Sequence, residues 1–144
     1  MFFLNILLLM TLIFIAVDDW LNFRIKNEAI IILVVILLSK FFLGGFVNEP
    51  QNRFICLILM VLLVLMLYYF RAFGGGDAKL IIISFFGLNM DHWYSYFCYL
   101  SIITLIYSFL AFLKIIPQHK TVRGTRIPLG PCICLAWAIN IMIL

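Results

Sequence analysis

Six apolar runs, at 2–17, 29–47, 54–70, 78–90, 93–116 and 129–144, are separated only by short polar connections, and this pattern decides what the chain can become. A helix that is apolar all round has no face to offer water and is buried in protein or in lipid. Residues are 67% hydrophobic and 11% charged, against roughly half and a quarter in soluble domains. The expected fold is therefore all-α, a polytopic membrane bundle of about six transmembrane helices. Residues 1–144 are expected to form a single domain, because no linker, charge block or low-complexity tract divides the runs. Backbone groups in lipid must be paired within the segment, which favours helices. Continuous rather than alternating apolar character disfavours a barrel. The fourth run, 78–90, is the shortest. As a helix it is about 20 Å long, against about 30 Å of hydrocarbon. The first run lacks a basic leader region and a small-residue cleavage pattern, so it reads as a retained span and not a signal peptide.

The net charge of +4 speaks to orientation. Arg24, Lys26, Arg71, Lys79, Lys114, Lys120, Arg123 and Arg126 flank the odd-numbered connections, whereas Lys40 and Arg53 flank the second. Basic loops stay cytoplasmic, which places both termini outside a cell inner (plasma) membrane crossed several times. The lipid bilayer is the expected partner and nucleic acid is not. Trp20, Trp93, Tyr94 and Tyr96 fall near run ends and read as interfacial anchors. Cys56, Cys98, Cys132 and Cys134 lie inside apolar runs without Cys-x-x-Cys spacing, so they read as small packing residues. No metal site and no cofactor is expected.

One strongly polar, glycine-dense stretch interrupts the apolar sequence: Phe73-Gly74-Gly75-Gly76-Asp77-Ala78-Lys79. Without Cβ atoms, Gly74, Gly75 and Gly76 admit unusual backbone conformations and close approach of another segment, such as substrate. A carboxylate at a membrane boundary is costly and reads as functional, with a partner to be named. Parity supplies Asp19, because the first span ends near Asp18 and Asp19 on the face where the fourth span starts at Asp77. The shortness of that span suggests a glycine loop dipping below the headgroups and sheltering Asp77. Lys79 reads either as a group steadying the acids or touching substrate, or as a headgroup anchor. Asp18 and Glu28 read as solvated loop charges, or as attractors of a basic substrate. His92, on the outer side, and His119, in the basic connection, carry no expected catalytic role.

Two neighbouring carboxylates share a proton, because repulsion disfavours ionising both. One accepts a proton from water while the other protonates or hydrogen-bonds a peptide carbonyl, so amide hydrolysis is open to the pair. The dipole of the helix that Asp77 opens favours its anion, which suggests Asp77 as the base and Asp19 as the acid. The residues alone leave three readings: proteolysis, ion or proton transport, and structural capping.

Gly74-Gly75-Gly76-Asp77-Ala78-Lys79-Leu80 resembles the GxGD signature of membrane aspartyl peptidases, and more narrowly the GGGD-x-K-L form of type IV prepilin peptidases. In that family an aspartate lies six residues before the isoleucine of an Ile-Pro-Asn segment. Asp19 stands so before Ile25-Lys26-Asn27, with Lys26 in place of proline. Arg126-Ile127-Pro128-Leu129-Gly130-Pro131 resembles the family's Ile-Pro-Phe-Gly-Pro segment, with Leu129 in place of the aromatic residue. The resemblance implies Asp19 and Asp77 as catalytic residues and removal of a short basic leader from a prepilin or pilin-like precursor at the cytoplasmic face. It is nearest to short, peptidase-only forms of Tad-type or archaeal systems, so methyltransferase activity is not expected. A small ion or proton transporter, or a noncatalytic pilus-assembly scaffold, remains the alternative.

Overall fold

The computed structural model describes residues 2–43, 53–70, 74–116, 119–121 and 124–143. Arg71, Phe73 and Arg123 lie outside them. Six α-helices are described: α1 (Phe2–Asn22), α2 (Asn27–Phe42), α3 (Arg53–Tyr69), α4 (Gly75–Gly87), α5 (Trp93–Phe112) and α6 (Gly130–Ile143). Each apolar run yields one helix. Two short strands, β1 (His119–Thr121) and β2 (Gly124–Arg126), pair antiparallel between α5 and α6, with His119 opposite Arg126. They are the one addition to the all-α expectation. Two segments, Phe2–Asn22 and Met90–Phe112, are long and apolar enough to cross a membrane.

The last helix occupies the centre. Helix α6 packs against α1, α5 and α4, while α4 also contacts α3 and α2. Gly130, Cys132, Cys134 and Ala136 are buried along α6, and such small side chains let neighbouring backbones approach closely. Trp137 fills the remaining space, fully buried. A Cβ on Gly87 would lie 2.4 Å from its ring, so α4 and α6 meet without room for a methyl group. Buried Asn140 is satisfied: its amide donates to the Ala136 carbonyl (2.9 Å), and its oxygen accepts from Ser95 Oγ (2.7 Å).

Helix ends depart from the run boundaries in ways that matter for the site. The first helix continues five residues past Val17 and carries Asp18 and Asp19 in its closing turns, not in a loop. It stops at Phe23, whose N–H still donates to the Asp19 carbonyl (2.9 Å) while its φ of 53° turns the following chain out of the helix. That single bond closes the helix in the left-handed manner usually left to glycine. Four residues then suffice to reach α2. At the fourth helix, Gly75 and Gly76 are already helical, so the glycine stretch is mostly a first turn and not a dipping loop. None of Gly74, Gly75 and Gly76 has a positive φ.

Two interfacial anchors also need correction. Trp93 and Tyr96 are buried, packed around Phe85 with ring centroids 5.3 and 5.7 Å away, and Trp93 Nε1 donates to the Leu88 carbonyl (3.2 Å). Their position along the run is near its end, but their radial direction is inward. Tyr94 is exposed, as an anchor requires. Arg53 is buried as well, its guanidinium donating to the carbonyls of Phe86 (3.1 Å) and Leu88 (3.3 Å). A cation at the carbonyls that end α4, which have no partner within the helix, is favoured by the helix dipole.

Candidate active site

The C-terminal end of α1 and the N-terminal ends of α2, α4 and α6 meet at one end of the bundle. Each brings one part of the site. Asp19 is buried on α1, and its Oδ2 accepts the backbone N–H of Gly130 at the start of α6 (2.9 Å). An α-helix leaves its first N–H groups without intrahelical partners, so the start of α6 is a natural seat for a carboxylate. The fit excludes any side chain at Gly130: an added Cβ would lie 2.6 Å from Asp19 Oδ2 and 3.0 Å from Asp19 Cβ.

Asp77 occupies the third position of α4 and is half-buried. Its carboxylate lies against Gly74, the residue that caps the helix, with Oδ2 2.9 Å from a Cβ built there. Asp19 is near enough for its charge to act on Asp77. Asp19 seated on the start of α6 and Asp77 in the first turn of α4 both stand at a helix N-terminus, so the helix dipole favours the anion of each and does not separate their roles.

The glycines differ in what surrounds them. A Cβ on Gly76 would meet Ile25 Cβ at 3.1 Å, so the connection between α1 and α2 lies directly on the first turn of α4. At Gly75 the nearest neighbour is the Tyr68 ring at 3.6 Å, an ordinary contact. At Gly74 the neighbour is Asp77 itself, with Oδ2 at 2.9 Å from the built Cβ. Close approach, and not positive φ, is what the glycines provide.

Lys79 is exposed and donates to Asn27 Oδ1 (3.0 Å), tying α4 to the start of α2. Asp18 differs from the solvated loop charge expected of it. It is buried, ion-paired to Lys26 (3.2 Å), and accepts from Asn22 Nδ2 (2.7 Å). Glu28 is exposed in the first turn of α2, as expected. Cys132 and Cys134 are buried on α6 two and four residues beyond Gly130, within apolar clusters. The part played by Gly130 is not legible from its neighbours in sequence beyond the Ile127-Pro128-Leu129-Gly130-Pro131 resemblance, because its contact with Asp19 joins residues 111 positions apart.

The sequence model of the type IV leader peptidase family matches residues 6–113, a stretch containing both aspartates and the whole glycine run. The chain belongs to this family. Neither the curated proteins nor the solved structures contain a match to it. Membership establishes a leader-peptidase type of protein.

Proposed function

We propose that the chain is a membrane aspartyl endopeptidase that removes the short basic leader of a prepilin or pilin-like precursor at the cytoplasmic face of the inner membrane. Asp19 and Asp77 are its catalytic pair. The observation that carries this reading is that α1 brings Asp19 and α4 brings Asp77 to one end of the bundle, where Ile25 just beyond α1 packs on Gly76 beside Asp77. Family membership supplies the class of reaction.

Chemically, one aspartate in its ionised form takes a proton from water as the water oxygen attacks the scissile carbonyl carbon. The protonated aspartate gives its hydrogen to the carbonyl oxygen as the tetrahedral species forms. Collapse breaks C–N and re-forms C=O: the proton gained from water passes to the leaving amine, and the aspartate that gave up its hydrogen takes one back from a hydroxyl of the tetrahedral species. Atoms and protons balance, and each acid ends the turnover in the protonation state in which it began. Repulsion between the carboxylates favours the singly protonated pair that this cycle starts from. The backbone N–H of Gly130 holds Asp19 in place without consuming a side chain.

Six crossings of the bilayer fit the outward faces of the helices. Phe42, Phe54, Leu105, Phe112 and Met142 are all more than 70% exposed, which hydrocarbon tolerates and water does not. Lys26 and Lys79 lie at the same end as the acids, supporting a cytoplasmic site. Gly74 and Gly75, both exposed, form the surface on which the precursor backbone rests beside Asp77, Gly76 shapes that turn against Ile25, and Lys79 anchors it. Methylation of the product is no part of the proposed activity. The test is co-expression with candidate precursors, followed by determination of the mature N-terminus. Leader removal supports the peptidase. An intact leader with aspartate-dependent ion flux would instead support a transporter, and neither activity would leave a scaffold.

A further inference from the structure

The proposed mechanism leaves one buried polar group beside Asp19 without a task. Tyr107, on α5, is 9% exposed, and its hydroxyl is buried with no hydrogen-bond partner among the described residues. A buried hydroxyl with no partner forfeits the hydrogen bonds it made to water, so its retention calls for an acceptor that arrives later.

Its surroundings say where that acceptor arrives. The Tyr107 ring packs with Ala111, Ile116 and Cys132, and Cys132 is two residues beyond the Gly130 whose N–H holds Asp19. On its other side the ring meets Trp20 edge-on, with centroids 6.0 Å apart, and Trp20 directly follows Asp19. The hydroxyl makes no bond to Asp19. Trp20 is 38% exposed, so this corner lies at the edge of the bundle.

We propose that Tyr107 is a further catalytic residue, whose hydroxyl donates a hydrogen bond to the scissile carbonyl oxygen as that oxygen gains negative charge beside Asp19. The inference rests on the two-aspartate reading above. The tyrosine keeps its proton throughout, and the aspartates carry out both proton transfers. A fixed donor aimed at developing charge in a water-excluded site is typically worth a factor of about 100 to 1,000 in turnover.

The test uses the full chain in lipid nanodiscs and a precursor that it processes. Tyr107→Phe removes the hydroxyl and keeps the ring. The expected result is a kcat at least tenfold lower, with KM within about twofold and an unchanged thermal midpoint, as for loss of a transition-state interaction. A leader-junction peptide carrying a hydroxymethylene isostere at the cut should bind at least tenfold more weakly to the variant, while the uncut peptide binds alike. Unchanged kcat and unchanged isostere affinity would overturn the proposal. So would a fall in activity matched by a fall in thermal midpoint, which marks a packing role. Asp19→Asn and Asp77→Asn are assayed beside it. If both retain cleavage, the two-aspartate reading fails; if both lose it while Tyr107→Phe is unaffected, only the tyrosine assignment fails.

Discussion

Asp19, near the end of the first helix, is held by the backbone N–H of Gly130, the first residue of the last helix, at 2.9 Å. This bond joins the two ends of the sequence at the point where the chemistry is proposed, and it makes α6 part of the site instead of a peripheral span.

Gly130→Ala is the substitution that tests that relationship. Its methyl group would stand 2.6 Å from Asp19 Oδ2 and must push either the carboxylate or the helix start aside. Overpacking of this kind costs about 1–3 kcal/mol. Cleavage should fall at least tenfold, and the thermal midpoint should drop. Rates measured at matched membrane abundance check this, and normal cleavage by Gly130→Ala would show that Asp19 does not need its present seat.

At the glycine run the structure ranks the positions. Gly76→Val should cut cleavage strongly, because the added Cβ begins 3.1 Å from Ile25, whereas Gly75→Ala should be mild against a 3.6 Å contact. Trimming the neighbour with Ile25→Ala should restore part of the activity lost in Gly76→Ala. Initial cleavage rates of the four variants decide the matter: equal rates at both positions would remove close packing as the reason for glycine there.

Asp18 is adjacent to Asp19 and equally acidic, yet its partners mark it as a structural group. Asp18→Asn keeps an oxygen for Asn22 and for Lys26, so cleavage should stay within about threefold of the parent. Lys26 is exposed at its end of the pair, where such an ion pair contributes about 0–1 kcal/mol, and its partial loss should barely move the thermal midpoint. Loss of cleavage in Asp18→Asn, with folding intact, would move the catalytic assignment one residue back.

The helices were legible because apolar runs have nowhere else to go, and the site was legible in part because Asp77 and Asp19 are costly where they stand. What the runs did not reveal were ends and directions. Helix α1 passes through Asp18 and Asp19 because its stop is a backbone event at Phe23, not the first polar residue. Trp93 and Tyr96 sit near the end of a run but point at Phe85, since distance along a helix axis says nothing about direction around it. Gly130 and Ile25 were beyond reach for another reason. Their importance lies in what would collide with an added atom, which is a property of packed helices and not of neighbouring sequence.

The most direct test of the account is cleavage of a co-expressed precursor by Asp77→Asn, with Asp19→Asn alongside, scored by the N-terminus of the product. Each change removes an ionisable oxygen while nearly preserving volume, so insertion and abundance should match the parent. The account predicts that both variants leave the leader attached. A correctly trimmed precursor at near-parental rate from Asp77→Asn would contradict it.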